Sequence, residues 1–247
     1  MSSFADHMSQ AIEASQLVER PAPYIFTENV FPAAVYRELE LLLDRSTSAL
    51  KEQIHKGDPA KFFGSYRDRL EMRFGDGQHQ DGIAEDDAAR WEEFAKELRS
   101  TKVFSALFCK FESGFRGRFG ADVDAEWLRG ALRPTLLFTK HRAGYYLGPH
   151  TDRYEKVLTC VLNFAERDGL DHLGTTMYEP KEAGFTCQGI VHHNPDLFSP
   201  IGIAPYRPNS ALFFFRDDRL FHGVERLTEE SLQGSERPNV QFNLWAS

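Results

Sequence analysis

A histidine and an aspartate separated by one residue are the most informative feature of this 247-residue chain. In an extended segment the side chains at i and i+2 point to the same side, so a His-x-Asp triplet can present an imidazole and a carboxylate to one metal ion. The triplet occurs as His79-Gln80-Asp81 and as His150-Thr151-Asp152. The first lies in a Gly- and Asp-rich segment, which favours a solvated loop. The second lies between two predicted strands, behind the turn Gly148-Pro149, and is the predicted metal motif.

His222 is the predicted third ligand. It follows the apolar run 210–215, and Gly223 beside it allows another backbone to approach closely. Two histidines and one carboxylate form the facial triad of non-haem Fe(II) sites, which leaves coordination positions open. The alternative for His222 is a buried core histidine. The adjacent His192 and His193 point to opposite faces of a strand, and the remaining histidines lack a partner at a useful spacing: His7, His55, His141 and His172.

Arg237 is the predicted binding residue for a carboxylate. It opens the last alternating segment of the chain, and Pro238 after it favours an extended conformation. A guanidinium offers a planar, permanently charged fork that suits a carboxylate. The alternation predicts a polar face shared with Arg237, made of Asn239, Gln241 and Asn243, and an apolar face made of Val240, Phe242 and Leu244. The alternative is a surface ion pair for Arg237, with Arg226 as the carboxylate-binding residue.

Two regions of different periodicity position these residues. Up to about residue 120 the pattern is mainly helical, with predicted helices over 5–19, from Pro32 through Leu43, over 88–99 and over 102–119. After Arg133 the segments are short, β-branched or aromatic, and bounded by turn residues; the predicted strands are 135–140, 156–164, 175–178, 185–191, 210–215 and 239–245. Strands without intervening helices favour an antiparallel barrel or sandwich. We therefore predict a single, mainly β domain over 1–247, with mainly helical support over 1–130 and a β core over 131–247.

Composition argues against several classes of partner. Lys+Arg 29 and Asp+Glu 37 give a formal net charge of −8, which disfavours nucleic acid and anionic membranes. The apolar runs are far shorter than the roughly 20 residues that a bilayer-spanning helix needs. The N-terminus lacks the basic flank and apolar core of a signal peptide, and three widely spaced cysteines predict no disulfide framework. We therefore expect a cytoplasmic protein with no nucleic-acid and no membrane partner.

These motifs together resemble one superfamily. The pattern Gly-x-x-Leu-x-x-His-Thr-Asp, followed by Phe-His-Gly-Val and an arginine before the last strand, is similar to that of the Fe(II)/2-oxoglutarate-dependent dioxygenases, with the prolyl 4-hydroxylase-like branch as the nearest match. The residues that match are Gly144, Leu147, His150, Thr151, Asp152, Phe221, His222, Gly223, Val224 and Arg237. The resemblance covers roughly residues 134 to 247.

The resemblance implies a double-stranded β-helix (jelly-roll) core supported by α-helices, with Fe(II) held by His150, Asp152 and His222. It implies that 2-oxoglutarate chelates the metal and pairs its C5 carboxylate with Arg237, and that O2 is the second cosubstrate. Two positions depart from the pattern of the family. His141 stands where many relatives have a tyrosine, and Asn163 replaces another tyrosine that contacts the cosubstrate. Thr159 shares the strand parity of Asn163, so both are expected to face the cavity.

The implied reaction is hydroxylation of an unactivated C–H bond with release of succinate and CO2. A small-molecule substrate, such as an amino acid or a biosynthetic intermediate, is the leading hypothesis. The alternatives are a side chain in a protein or peptide, and a metal-binding jelly-roll module without catalysis. A compact lid formed by 46–87 and 168–174 would favour the small molecule, whereas an open groove would favour a polypeptide. Arg67-Asp68-Arg69 in the first of these segments predicts a solvated face.

Overall fold

The computed structural model describes residues 3–52, 63–65, 68–75, 82–189 and 191–246. Its strands, in chain order, are β1 (Tyr24–Glu28), β2 (Lys51–Glu52), β3 (Gly64–Ser65), β4 (Arg69–Phe74), β5 (Arg133–His141), β6 (Tyr146–His150), β7 (Lys156–Phe164), β8 (Thr175–Pro180), β9 (Phe198–Ala204), β10 (Pro208–Phe215), β11 (Phe221–Val224) and β12 (Arg237–Trp245). Its α-helices are α1 (Ala5–Ala14), α2 (Ala33–Arg45), α3 (Glu85–Leu98), α4 (Thr101–Lys110), α5 (Glu112–Phe119), α6 (Ala125–Ala131) and α7 (Glu229–Leu232). None of these helices is long and apolar enough to cross a membrane.

The strands form two antiparallel sheets. The larger has the order β1-β10-β7-β12-β5-β4-β2, and the smaller has the order β3-β6-β11-β8-β9. Along the chain from β5 to β8, successive strands alternate between the sheets, and β9 to β12 alternate in the same way on the return. This winding is that of a double-stranded β-helix, which confirms the predicted jelly-roll core.

Helices cover the outer face of the larger sheet. The apolar side chains of β12 are fully buried and belong to one core with residues of α1 to α6. Phe242 packs edge-on against Phe104 of α4, and Trp91 of α3 stacks on Phe138 of β5. The opposite face of β12 carries Arg237, Asn239 and Gln241, which line a cavity between the sheets. The predicted alternation in the last strand is therefore confirmed.

The N-terminal region contributes strands as well as helices. β1 pairs with β10, and β4 pairs with β5, so both extend the larger sheet of the jelly roll. The segment 46–87 was expected to be irregular, yet β4 alternates apolar Leu70, Met72 and Phe74 with charged side chains. Arg69 is only 8% exposed, so the prediction of a solvated face is wrong at this residue; Arg67 lies outside the described residues.

Three predicted elements differ from the structure. The predicted helix 5–19 ends at Ala14 because Ser15 is extended. The predicted helix 102–119 is divided at Phe111, whose backbone leaves the α region. The predicted strand 185–191 is absent from its described part. Gly189 within it and Gly184 just before it have positive φ, which an extended ladder does not accommodate. The unpredicted β9 takes the edge of the smaller sheet instead.

Candidate metal and cosubstrate site

Strand pairing brings the three predicted metal ligands together. His222 of β11 lies opposite His150 of β6 in the smaller sheet, and Asp152 follows the end of β6. Ligand atoms of the three side chains lie within 4.8 Å of one another, close enough to share one ion. Within the described ranges this is the one group of three or more His, Cys, Asp or Glu residues with that property. The two-histidine, one-carboxylate donor set fits Fe(II).

Backbone carbonyls orient both histidine rings. Nδ1 of His150 lies 3.0 Å from the carbonyl oxygen of Gly148, and Nδ1 of His222 lies 3.2 Å from that of Leu220. Because a carbonyl oxygen only accepts, each Nδ1 carries the proton and each Nε2 keeps its lone pair for a metal. Burial lowers the pKa of both imidazoles below 6.5. The rings are therefore held neutral, as metal ligation requires.

The carboxylate of Asp152 is held by two donors. Thr159 Oγ1 donates to Oδ2 at 2.6 Å, and Lys156 Nζ donates to Oδ1 at 3.0 Å. Burial opposes ionisation of this carboxyl, but the charge of Lys156 and the hydrogen bond from Thr159 help to outweigh it, so the pKa of Asp152 lies well below its ordinary value. Thr159 thus reaches the cavity, as its parity predicted, but its hydroxyl supports the predicted metal ligand.

A second polar group, around Arg237, lines the same cavity between the sheets. This side chain is 2% exposed, and its Nε donates to the carbonyl oxygen of Leu173 at 2.6 Å. Its guanidinium also lies 5.3 Å from the ring centre of Tyr206. Within the described part of the chain no carboxylate pairs with Arg237. Burial lowers the pKa of its guanidinium, the direction expected for a buried cation without an anionic partner.

His141 lines the cavity beside this arginine. Arg237 Nη1 donates to His141 Nδ1 at 3.1 Å, so the proton of the neutral ring lies on Nε2. Burial, together with the charges of Arg237 and Arg69, lowers the pKa of His141 well below 6.5. His141 Nε2 is buried and has no hydrogen-bond partner among the described residues. An N–H donor and a guanidinium without a carboxylate together fit the carboxylate of a small organic acid.

The other predicted contacts lie elsewhere. The amide of Asn163 donates to Ser210 Oγ at 3.1 Å, and the described cavity lining does not include this residue. Arg226, the alternative to Arg237, is exposed, stacks on Tyr146 and is not among the described residues that line the cavity. His55 and the triplet His79-Gln80-Asp81 lie outside the described residues.

Three residues of the site were missed by sequence reasoning. Arg69 lines the cavity from β4, and Lys156 binds Asp152. The ring of His192 stacks on that of His150 with centroids 4.2 Å apart. His192 reaches this position because the next residue, His193, donates its backbone N–H to the carbonyl oxygen of Pro149. The alternating pattern of β4 was the available signal for Arg69; the long-range contact of His192 has no local signal.

Comparison with known proteins agrees with this geometry at the level of the fold. No model of a known protein family matches the sequence, and no curated protein matches it. Three similar solved structures are a prolyl hydroxylase from Trichoplax adhaerens in complex with a hypoxia inducible factor peptide fragment (TM-score 0.55, 12% identity, 98% of this chain and 90% of that chain), a prolyl-4-hydroxylase from Pseudomonas putida (0.52, 12%, 97% and 99%) and prolyl 4-hydroxylases from Phytophthora capsici (0.50, 14%, 100% and 67%). The chain therefore has the fold of the prolyl hydroxylases.

Proposed function

We propose that this chain is a non-haem Fe(II)- and 2-oxoglutarate-dependent oxygenase that hydroxylates a small molecule. The observation that carries the proposal is the pairing of two sites in one cavity. A His-Asp-His group and a buried arginine, which has no carboxylate partner in the described structure, line the same cavity. A 2-oxo acid with a second carboxylate would use both groups, because one end chelates a metal and the other end binds a guanidinium.

In this proposal His150, Asp152 and His222 hold the iron. The chemistry that iron, 2-oxoglutarate and O2 supply together is oxidative decarboxylation to succinate and CO2, coupled to hydroxylation of an unactivated C–H bond. The chain contributes position and electrostatics. The carbonyl oxygens of Gly148 and Leu220 orient the imidazoles, and Thr159 and Lys156 orient the carboxylate.

The cosubstrate is assigned to Arg237 and His141. The guanidinium of Arg237 would bind the C5 carboxylate, and the Nε2–H of His141 would donate to the same group. His141 then takes over part of the role that a tyrosine fills in the resembling family. Because its pKa is lowered, the ring remains a neutral donor at pH 7.

The dimensions of the cavity support a small substrate. Its volume is ≈ 120 Å³, measured as the space open to the centres of water molecules. A cavity of that size has room for a small molecule beside the metal site but not for a bulky one. The similar structure from Trichoplax adhaerens contains a peptide, so hydroxylation of a polypeptide side chain is the second candidate.

The three free cysteines support the inferred cytoplasmic location.

Succinate production tests the proposal. The purified chain is incubated with Fe(II), 2-oxoglutarate and O2, first alone, then with pools of free amino acids, and separately with proline-containing peptides. Asp152→Ala removes a ligand, and His172→Ala is a matched control at an exposed histidine. We expect succinate that requires iron and is stimulated by a small-molecule pool. Stimulation by peptides alone would favour the second candidate, and no succinate above the Asp152→Ala background would leave a non-catalytic module.

A further inference from the structure

The side chain of Thr151 points away from the candidate metal site. Alternation along an extended segment places His150 and Asp152 on one side and the residue between them on the other. His150 and Asp152 line the cavity, whereas Thr151 is 1% exposed and is not among the described lining residues. Its hydroxyl donates to the carbonyl oxygen of Cys187 at 2.7 Å. The metal motif is therefore held from behind, at its central residue.

A chain segment, which we call the clamp, runs along the back of this motif; its described residues are 187–189 and 191–193. The backbone N–H of His193 donates to the carbonyl oxygen of Pro149 at 2.9 Å, just before the first ligand. Gly189 has positive φ, and a Cβ there would lie 2.7 Å from the carbonyl oxygen of Asp152. The backbone of the clamp therefore packs against the motif on both sides of Thr151.

The clamp also reaches the chain segment that leads to the third ligand. The carbonyl oxygen of Cys187 accepts from Thr151, and the backbone N–H of the same residue donates to the carbonyl oxygen of Asp218 at 3.0 Å. Asp218 lies shortly before β11, the strand of His222. One residue of the clamp thus connects the two parts of the chain that supply the three ligands. Such a connection fixes the position of one part relative to the other.

We propose that Thr151 is a positioning residue for the metal, and that the clamp and the metal stabilise each other. The inference rests on the metal site of the proposed function. Because the hydroxyl of Thr151 is bound to the clamp, His150 and Asp152 are held in the direction that ligation requires before the metal arrives. Linkage is reciprocal. If the closed clamp raises the affinity for the metal by some factor, the bound metal disfavours opening of the clamp by the same factor.

Metal affinity in variants of Thr151 tests the first half of the proposal. Thr151→Val keeps the shape of the side chain and removes the donor, so we expect the affinity for Mn(II), measured by competition with a chelator, to fall by about 10- to 100-fold. Thr151→Ser retains the hydroxyl and should restore most of the affinity. Thr186→Val is the matched control, because Thr186 is exposed beside the clamp. Unchanged affinity in the Val variant, even with a lower free energy of unfolding, or an equal loss in the Val and Ser variants, would overturn the inference.

Alkylation of the Cys187 thiol tests the second half and needs no change at Thr151. This thiol is half-buried against a cluster of buried aromatic residues, so its alkylation reports departure of the clamp. Cys109→Ser removes the exposed cysteine, and Cys160 is fully buried. We expect saturating Mn(II) to slow the alkylation at least 10-fold, measured by mass spectrometry of the Cys187 peptide. An alkylation rate that bound Mn(II) leaves unchanged would overturn the inference. If the protein binds no Mn(II), the proposed function itself fails, and the inference with it.

Discussion

His222 lies directly opposite His150 in the β6–β11 pair, and the centroids of their rings are 4.3 Å apart. The separation of these two predicted ligands is therefore set by the approach of two backbones. Gly223 permits that approach, because a Cβ there would lie 2.5 Å from the carbonyl oxygen of Leu147. The site thus depends on a residue that has no side chain to offer a metal.

Gly223→Ala is expected to separate β11 from β6. The added methyl group meets backbone atoms that cannot rotate away, so we expect a loss of about 1–3 kcal/mol in the free energy of unfolding together with weaker metal binding. Gly202→Ala on β9 is the control, because a Cβ there meets nothing within 4 Å. Urea unfolding and Co(II) titration of both variants measure the two effects. Equal behaviour of the two variants would contradict the role given to Gly223.

Thr159→Val is expected to weaken metal binding through Asp152. The substitution keeps the shape of the side chain but removes the donor that holds Oδ2 at 2.6 Å. Loss of such a support typically costs about 10- to 100-fold in metal affinity. Thr159→Ser retains the hydroxyl and should bind the metal as wild type does. Competition titrations with a chelator measure the affinities; a Val variant with unchanged affinity would show that Lys156 alone positions the carboxylate.

Arg237→Met is expected to weaken the binding of 2-oxoglutarate and to leave metal binding unchanged. A charge-assisted hydrogen bond contributes about 1.5–3 kcal/mol, so the dissociation constant of the Mn(II) protein for 2-oxoglutarate should rise by roughly 10- to 100-fold. Arg226→Met is the control, because that arginine is exposed and lies over Tyr146. Calorimetric titration compares the two. A larger effect in the Arg226 variant would reinstate the alternative anchor.

The metal-free protein should lose stability as the pH falls below about 6.5. His141, His150 and His222 are buried with lowered pKa values, whereas in the unfolded chain they take up protons near pH 6.5. Since the unfolded state binds more protons, the free energy of unfolding rises with pH in this window, by up to about 1.4 kcal/mol per pH unit for each histidine. His141→Asn removes one of these protonation sites and should reduce the slope by up to about 1.4 kcal/mol per pH unit. Urea unfolding between pH 5 and pH 7 measures it, and a flat profile would contradict neutral burial.

The metal site could be predicted from the sequence because its geometry is local. Residues 150 and 152 share a side of an extended segment whatever the fold, and Gly223 marks a close approach beside His222. The two faces of the last strand could also be predicted, since its period of two separates Asn239 and Gln241 from the apolar side chains. In both cases strand geometry alone determines the direction of the side chains.

The rest of the cavity depends on contacts that no local pattern encodes. Asn163 has the expected strand parity, but its amide donates a hydrogen bond to Ser210 on the neighbouring strand. The register of this strand pair shifts between Pro208 and Ser210, which the sequence does not reveal. His192 packs on His150 because distant segments meet. Arg69 belongs to a short alternating strand. The residues before and after this strand in the sequence are rich in Gly, Asp and Arg, so the whole segment was interpreted as solvated.

Anaerobic addition of Fe(II) and 2-oxoglutarate to the purified protein tests the central claim most directly. Chelation of iron by the 2-oxo acid produces a weak visible charge-transfer band. We expect the band in wild type, its loss in His150→Ala and Asp152→Ala, and a requirement for more 2-oxoglutarate in Arg237→Met. If wild type binds iron but shows no band, 2-oxoglutarate does not chelate the metal in this chain, and the proposed oxygenase mechanism is contradicted.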